Sequence, residues 1–440
     1  MTAPLLRTAD RTISAAILAA AFSSPTFAQT PPAALSPTPT FNVRFLPHGP
    51  GVTESRAGGA AGFGESGNFV VGGSIHAAGG WDPTLWARID GPLSLPIRLG
   101  PPGQRGHVNA VANALTDDGD VVAVGRSKPT GLSSVTATAW HAKYDGIDGE
   151  SNDAVRVLLP TPAGATSEAV DVIVTNFAGD GWGALIIGGR VTIGGVDRAA
   201  LWTGPNSLGN FEIQMLHGTT GAAASSVSDL ALSPTGELLV MGNAIGTDGT
   251  TLPARWVIDG TSNTIMFSTL DVPNHVGTAI TSDWNGDGID TIALRGAGAA
   301  ANSTAPQLAR VTADGDTNLH ALTLPPGQTG GTANGIIAIL IGLLVPGHTV
   351  GPAGQSASIW VNQAEMPDSV IDLNLAARYV PLGVQLTDVQ AVEPPVEEVS
   401  FVFHNITWFG ASRNAAGRER GFIATTERQA DSVDQLGQRD

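Results

Sequence analysis

The sequence predicts an all-β fold, a seven-bladed β-propeller of four-stranded antiparallel blades whose ring is closed by an N-terminal strand joining the last blade. Three observations predict it. A run of β-branched residues, a glycine, a polar stretch and a tryptophan recur as a unit: Val70, Gly72, Trp86; Val121, Gly125, Trp140; Leu185, Gly188, Trp202; Leu238, Gly242, Trp256. Such self-similarity is the signature of a repeat architecture. The chain also carries 56 glycines and 29 prolines but only 14% charged residues, and turns of this kind between short apolar runs are an all-β pattern. Finally, the last repeat stops after its third strand, while an orphan strand, Phe41 to Leu46, precedes the first repeat. Pairing the two removes sheet edges that would otherwise stay open.

Residues 1–28 read as an export signal, with Arg7 and Arg11 before the apolar stretch Ile13 to Phe22 and small residues at Thr26-Phe27-Ala28. Residues 29–40 are a Pro/Thr-rich linker. The propeller spans residues 41–426, and a polar tail follows over 427–440. Within the propeller, strands A are expected to begin near Ala60, Val111, Val170, Val227, Ala279, Ile336 and Val399. Strands B centre on Val71, Val122, Ile186, Leu239, Ile292, Leu344 and Trp408. Strands C carry Trp86, Trp140, Trp202, Trp256 and Trp360, with Leu308 and Phe422 at that place in repeats five and seven. A tryptophan at one fixed position in five repeats is expected to pack between neighbouring blades rather than to stack on a ligand.

Charge and composition narrow the classes of function. The net charge is −17, with two lysines, Lys128 and Lys143. An acidic surface repels phosphate backbones and anionic lipid, so no nucleic-acid partner is expected. No segment after the signal reaches the length of a membrane span. With no cysteine, disulfides, thiol nucleophiles and thiolate-bound zinc are excluded. The expected protein is monomeric and is secreted or periplasmic.

The segments Ser226 to Gly242 and Asn109 to Gly125 resemble the bacterial extracellular HAF-type repeat, and Phe409-Gly410 through Arg418 to Ile423 resembles that family's ending. The resemblance implies export and a β-repeat fold, and it carries no catalytic residues. Asp283-Trp284-Asn285-Gly286-Asp287-Gly288-Ile289-Asp290 is similar to the calcium loops of integrin-type (FG-GAP) propellers, which implies Asp283, Asn285, Asp287 and Asp290 as ligands of a structural calcium ion. Alternating oxygen donors around a glycine suit that ion. Asp290 falls one residue earlier than in those loops, and the same residues also make a plain Asp-Gly hairpin turn. His48, His107, His217 and His275 each fall between a strand D and the next strand A. Those segments share one face of a propeller, so the four imidazoles are candidates for a shared ligand site, or are four solvated loop residues. No Gly-x-Ser-x-Gly elbow, phosphate loop or His-Glu-x-x-His is present.

These observations favour an exported binding or scaffold module that takes an extracellular or envelope ligand, polysaccharide or protein, on the face of the D–A and B–C loops. A secreted propeller enzyme of glycosidase, lyase or lactonase type, with its site at the channel mouth, is the alternative, since propellers host both classes.

Overall fold

The computed structural model describes residues 40–426 apart from 64–67, 78, 89–92, 101–103, 114–120, 129–133, 143–153, 176–184, 206–207, 218–221, 260–261, 263, 283–287, 299–303, 313–314, 340–341, 364–367, 379, 382 and 392–406. The expected export signal, most of the linker and the tail therefore lie outside the described residues. Seven antiparallel sheets follow one another as blades, each with its strands in the order A, B, C, D. Blade 1 runs Val52–Phe63, Asn68–Ala77, Gly80–Arg88 and Ile97–Arg98. Blade 7 consists of Val384–Ala391, Thr407–Asn414 and Glu419–Thr426, and its fourth strand is Phe41–Phe45. That strand pairs Asn42 with Thr425 and Phe45 with Phe422, antiparallel. A two-residue strand, Ala377–Arg378, adds in parallel on its outer side. It follows a single helical turn, Leu373–Ala376, capped by the Asp372 side chain on the Asn374 amide.

Every strand A is bulged. One extra residue interrupts the register with strand B at Gly58, Asn109, Val170, Ser228, Thr278 and Thr387. In blade 6 the break falls at 334–336, between Gly330–Ala333 and Ile337–Ile339. The extra residue bends the strand and turns its polar groups outward from the blade. Neighbouring blades use those groups. Asn109 donates to the Ala169 carbonyl of blade 3 at 2.8 Å, and Ser228 donates to the Gly277 carbonyl of blade 5 at 2.7 Å. One residue after the bulge, Asp171 accepts from the Leu230 amide and Asp229 from the Ile280 amide. Three residues before it, buried serines accept strand-C amides of the preceding blade: Ser167 from Ala137, Ser225 from Ala199 and Ser55 from Gly421.

The bulge also explains the glycines of strand B. A Cβ at Gly125 or Gly242 would overlap the backbone carbonyl of His107 or Ser226. Gly73, Gly189 and Gly347 sit opposite the residue before the bulge in the same way. Blade 5 moves the glycine across the pair, with Gly277 on strand A facing Leu294.

The tryptophans form the second tie between blades. All five are fully buried. The indole N–H of Trp86, Trp202, Trp256 and Trp360 donates to the carbonyl just after the buried leucine that ends the previous blade: Pro47, Pro160, His217 and Thr323, at 2.8 to 3.2 Å. The Trp86–Pro47 and Gly421–Ser55 bonds span the seam between blades 7 and 1. The closing seam therefore has the same chemistry as the internal ones.

The register corrects several sequence-based expectations. Strands A begin earlier than expected, at Val52, Arg105, Thr166, Ala222, His275, Gly330 and Val384, because the bulge breaks the alternation that marks a strand. In blade 7 strand A is Val384–Ala391, and Val399 lies outside the described residues. The glycines equivalent to Gly125 and Gly242 are Gly73 and Gly189, one residue beyond Gly72 and Gly188. In blade 5 the tryptophan position falls on Ala309, paired with Ile292, rather than on Leu308. Phe422 holds that position in blade 7, paired with Gly410.

Two outcomes follow from this construction. Gly242→Ala is expected to lower the unfolding free energy by about 1–3 kcal/mol, the usual cost of forcing a methyl into a packed site, measured by denaturant titration; a change near zero contradicts the close approach. Trp202→Phe should cost more than Trp140→Phe in the same assay. It leaves the Pro160 carbonyl unpaired, whereas the indole N–H of Trp140 has no hydrogen-bond partner among the described residues.

Candidate functional site

Two residues before each bulge, strand A presents a side chain on the rim where B–C and D–A connections meet. Around the ring these residues are Arg56, His107, Glu168, Ser226, Val276, Thr332 and Gln385. Blades 1 to 3 supply two ionised groups and an imidazole, and blades 4 to 7 supply four uncharged side chains. Their strand-B partners are Ser74, Arg126, Arg190, Asn243, Arg295, His348 and Arg413. At this level strand A is ionised only in blades 1 and 3, part of a charged arc, while Arg295 and Arg413 bring charge into blades 5 and 7 from strand B.

The charged arc is continuous from blade 7 to blade 3. Glu419, opening strand C of blade 7, pairs with Arg413 of its own blade at 3.2 Å and with Arg56 of blade 1. The Arg56 guanidinium lies 4.3 Å from the ring centroid of Trp81. The rings of His76 and His107 flank that indole at 5.3 and 5.8 Å. His107 Nδ1 is 2.9 Å from the Ser74 hydroxyl, itself 1% exposed. Beyond His107, Glu168 lies 3.5 Å from Arg126, 2.7 Å from Arg190 and 3.2 Å from Asn109, and Asp197 holds Arg190 from the other side at 3.1 Å. Arg56, Arg126 and Arg190 keep 40 to 47% of their side-chain surface exposed, so three guanidiniums are oriented by acids yet open to solvent.

The electrostatics of His107 follow from this setting. Burial pushes its pKa down to about 4, the positive charges of Arg126 and Arg56 push the same way, and Glu168 opposes them. The imidazole is therefore neutral at pH 7, between guanidiniums. His48 is lowered too, by burial first and then by Arg420. Its Nε2 is 2.9 Å from the Ser55 hydroxyl that receives the Gly421 amide, which places it at the ring-closing seam.

The four histidines expected in D–A loops fall in different local settings. His107 and His275 lie within strands A, because those strands start early. His217 is exposed between blades 3 and 4, and its carbonyl receives Trp256. His275 Nδ1 is 3.1 Å from the Pro273 carbonyl, and its Nε2 has no hydrogen-bond partner among the described residues. Only His107 stands in the charged arc. Asp283, Asn285 and Asp287 of the acidic loop lie outside the described residues. Asp290 opens strand B of blade 5, buried, and pairs with Arg255 of blade 4. Among the described residues no three His, Asp or Glu side chains come together as a metal set.

Arg56, Trp81, Arg126, Glu168 and Arg190 were not picked out from the sequence. A signal existed: position two before the bulge reads Arg, His, Glu in repeats one to three and Ser, Val, Thr, Gln afterwards. It becomes visible only once the bulges fix the register.

No family model matches the chain, and no curated protein matches it. The HAF-type resemblance is thus not carried by any family match. Among solved structures, a polysaccharide lyase of family PL25, an ulvan lyase, superposes with TM-score 0.53 at 9% identity, over 86% of this chain and 96% of that one. A Dyadobacter fermentans protein of unknown function aligns over 89% of this chain and 99% of that one, at 10% identity and TM-score 0.48. A Trypanosoma rangeli sialidase aligns over 84% of this chain and 53% of that one, at 8% identity and TM-score 0.44. At these identities the likeness is one of fold. Among the described residues no helix is long and apolar enough to cross a membrane.

The His107 setting predicts a pH signature. In the unfolded chain a histidine protonates near its ordinary pKa of 6.5, while folded His107 stays neutral to about 4. Below pH 6.5 the unfolded state takes up a proton that the folded state refuses. The penalty is absent above that pH, grows as pH falls and levels off below about 4. His107→Asn is expected to flatten the stability profile across that window in denaturant titrations; parallel profiles for the two proteins contradict it.

Proposed function

We propose that the protein is an exported, monomeric propeller that binds an acidic saccharide on the charged arc of its B–C/D–A rim. One observation carries the reading. On a chain of net charge −17, one arc of one rim gathers Arg56, Arg126, Arg190 and Arg413, with the half-buried indole of Trp81 against Arg56. Guanidiniums are suited to carboxylates and sulfates through paired N–H donors. Trp81 gives a sugar ring an apolar face to stack on, although Arg56 occupies one side of it. Glu168, Glu419 and Asp197 hold the arginines in place, so less conformational freedom is lost when a ligand arrives.

Structural support alone is a weak alternative explanation of the arc. Exposed ion pairs contribute about 0–1 kcal/mol each, and the ring is already held by bulge and tryptophan ties. The expected export signal and the resemblance to extracellular HAF-type repeats support a location in the periplasm or outside the cell, where such polymers occur.

Polygalacturonate, alginate, ulvan and hyaluronate, with neutral dextran as control, form the binding panel for isothermal titration. At least one acidic polymer should bind, more weakly as salt is raised, and dextran should not. Arg126→Ala is expected to weaken binding about 10–100-fold, the loss of one charge-assisted contact. Arg156→Ala, on the outer strand of blade 2, should leave it unchanged. Dextran binding equal to that of the acidic polymers, or indifference to Arg126→Ala, contradicts the proposal.

A further inference from the structure

The arc contains one feature that anion binding does not require, a neutral imidazole set between the guanidiniums. We infer that His107 is the general base of a β-elimination that cleaves a bound uronate polymer next to its carboxylate. The inference rests on the binding reading above and adds chemistry to it.

The geometry supplies the parts. Arg126 stands opposite His107 across the A–B strand pair, and Arg56 lies over Trp81, whose ring is 5.8 Å from that of His107, so a carboxylate held by these arginines is brought beside the imidazole. Neutralising that carboxylate stabilises the negative charge that develops when its neighbouring C–H is broken. Ser74 fixes the ring through Nδ1; with Nδ1–H donated to that hydroxyl, Nε2 carries the lone pair. A second partner on one imidazole nitrogen is how proteins set the tautomer of the other. Trp81, 5.8 Å from His107, forms a wall on the same side.

The arginines depress the basicity of His107, and a bound anion cancels part of their field. Glu168, which already acts in that direction, shows the sign. An arriving carboxylate therefore raises the basicity of the group that must deprotonate its own sugar. An empty site keeps the base weak, and an occupied site strengthens it.

The reaction balances without an oxidant or reductant. His107 Nε2 takes the proton from the carbon bearing the carboxylate, C5. The C–H electron pair becomes the C4=C5 double bond, the C4–O4 bond breaks, and its electrons leave on O4. O4 takes a proton from water, and the hydroxide formed is neutralised by the imidazolium, restoring the base. The products are an unsaturated uronate end and a free hydroxyl.

The test incubates the intact protein with polygalacturonate, alginate and hyaluronate, and follows the ultraviolet absorbance of the conjugated double bond while binding is titrated in parallel. The expected result is absorbance growth on the polymer that binds. His107→Ala should lower the rate about 10²–10⁴-fold, the usual share of a general base, with affinity changed far less. His107→Gln, closer in size, should behave alike if its melting temperature matches the parent. A polymer that binds through Arg126 without any rise in absorbance overturns the elimination and leaves the binding reading standing. Equal rates for parent and His107→Ala overturn the role of His107. Absence of both binding and product overturns the two readings together.

Discussion

The bulge in each innermost strand is the constraint on which the rest of this molecule depends. A regular strand A would spend its amides and carbonyls on strand B and face its neighbours with side chains only. The extra residue turns polar groups outward at one level of the ring, and blades 2 to 5 bond one to the next through them: Asn109 to Ala169, Asp171 to Leu230, Ser228 to Gly277, Asp229 to Ile280. The same kink drives a carbonyl toward strand B, so glycine is required at Gly125 and Gly242. It also decides which residues of strand A face the rim. Blade contact, glycine placement and the identity of the mouth residues thus share one geometric cause.

Ring closure extends this logic. Phe41–Phe45 completes blade 7, and the next two residues carry the seam, with Leu46 buried and Pro47 accepting from Trp86. Ser55 receives Gly421 as Ser167 receives Ala137. Residues more than 360 positions apart along the chain make the contacts that adjacent blades make elsewhere. The arginines of the arc are half-open at the rim, while the bulge and tryptophan ties between blades are directed to backbone groups; the largely buried Arg255–Asp290 pair adds a charged tie between blades 4 and 5. The charged arc can therefore vary without dissolving the ring, which is how a common fold carries different sites.

Much of the architecture was legible in the sequence because it is written in apolar periodicity and in large, rare residues. Trp86, Trp140, Trp202, Trp256 and Trp360 marked strand C correctly, and the orphan strand at Phe41 marked the closure. Strand A was misplaced because its first half, such as Arg105 to Val108, alternates out of phase with its second half across the bulge. That single slip carried His107 and His275 into presumed loops and hid Arg56 and Glu168 as ring neighbours of His107. The acidic motif at Asp283 attracted attention through its spacing, yet its last carboxylate, Asp290, engages Arg255 in the neighbouring blade, a long-range partner that no local pattern reveals. The arc was illegible because it is assembled from one residue per repeat, and those residues differ from repeat to repeat.

The claim that the bulge register builds an anion site on one half of one rim is tested most directly by a crystal structure with a bound oligouronate. The account predicts a sugar carboxylate within hydrogen-bond distance of Arg56 or Arg126, with the sugar against Trp81 and beside His107. An oligosaccharide seated on the opposite rim, or along blades 4 to 6 at Ser226, Val276 and Thr332, contradicts it.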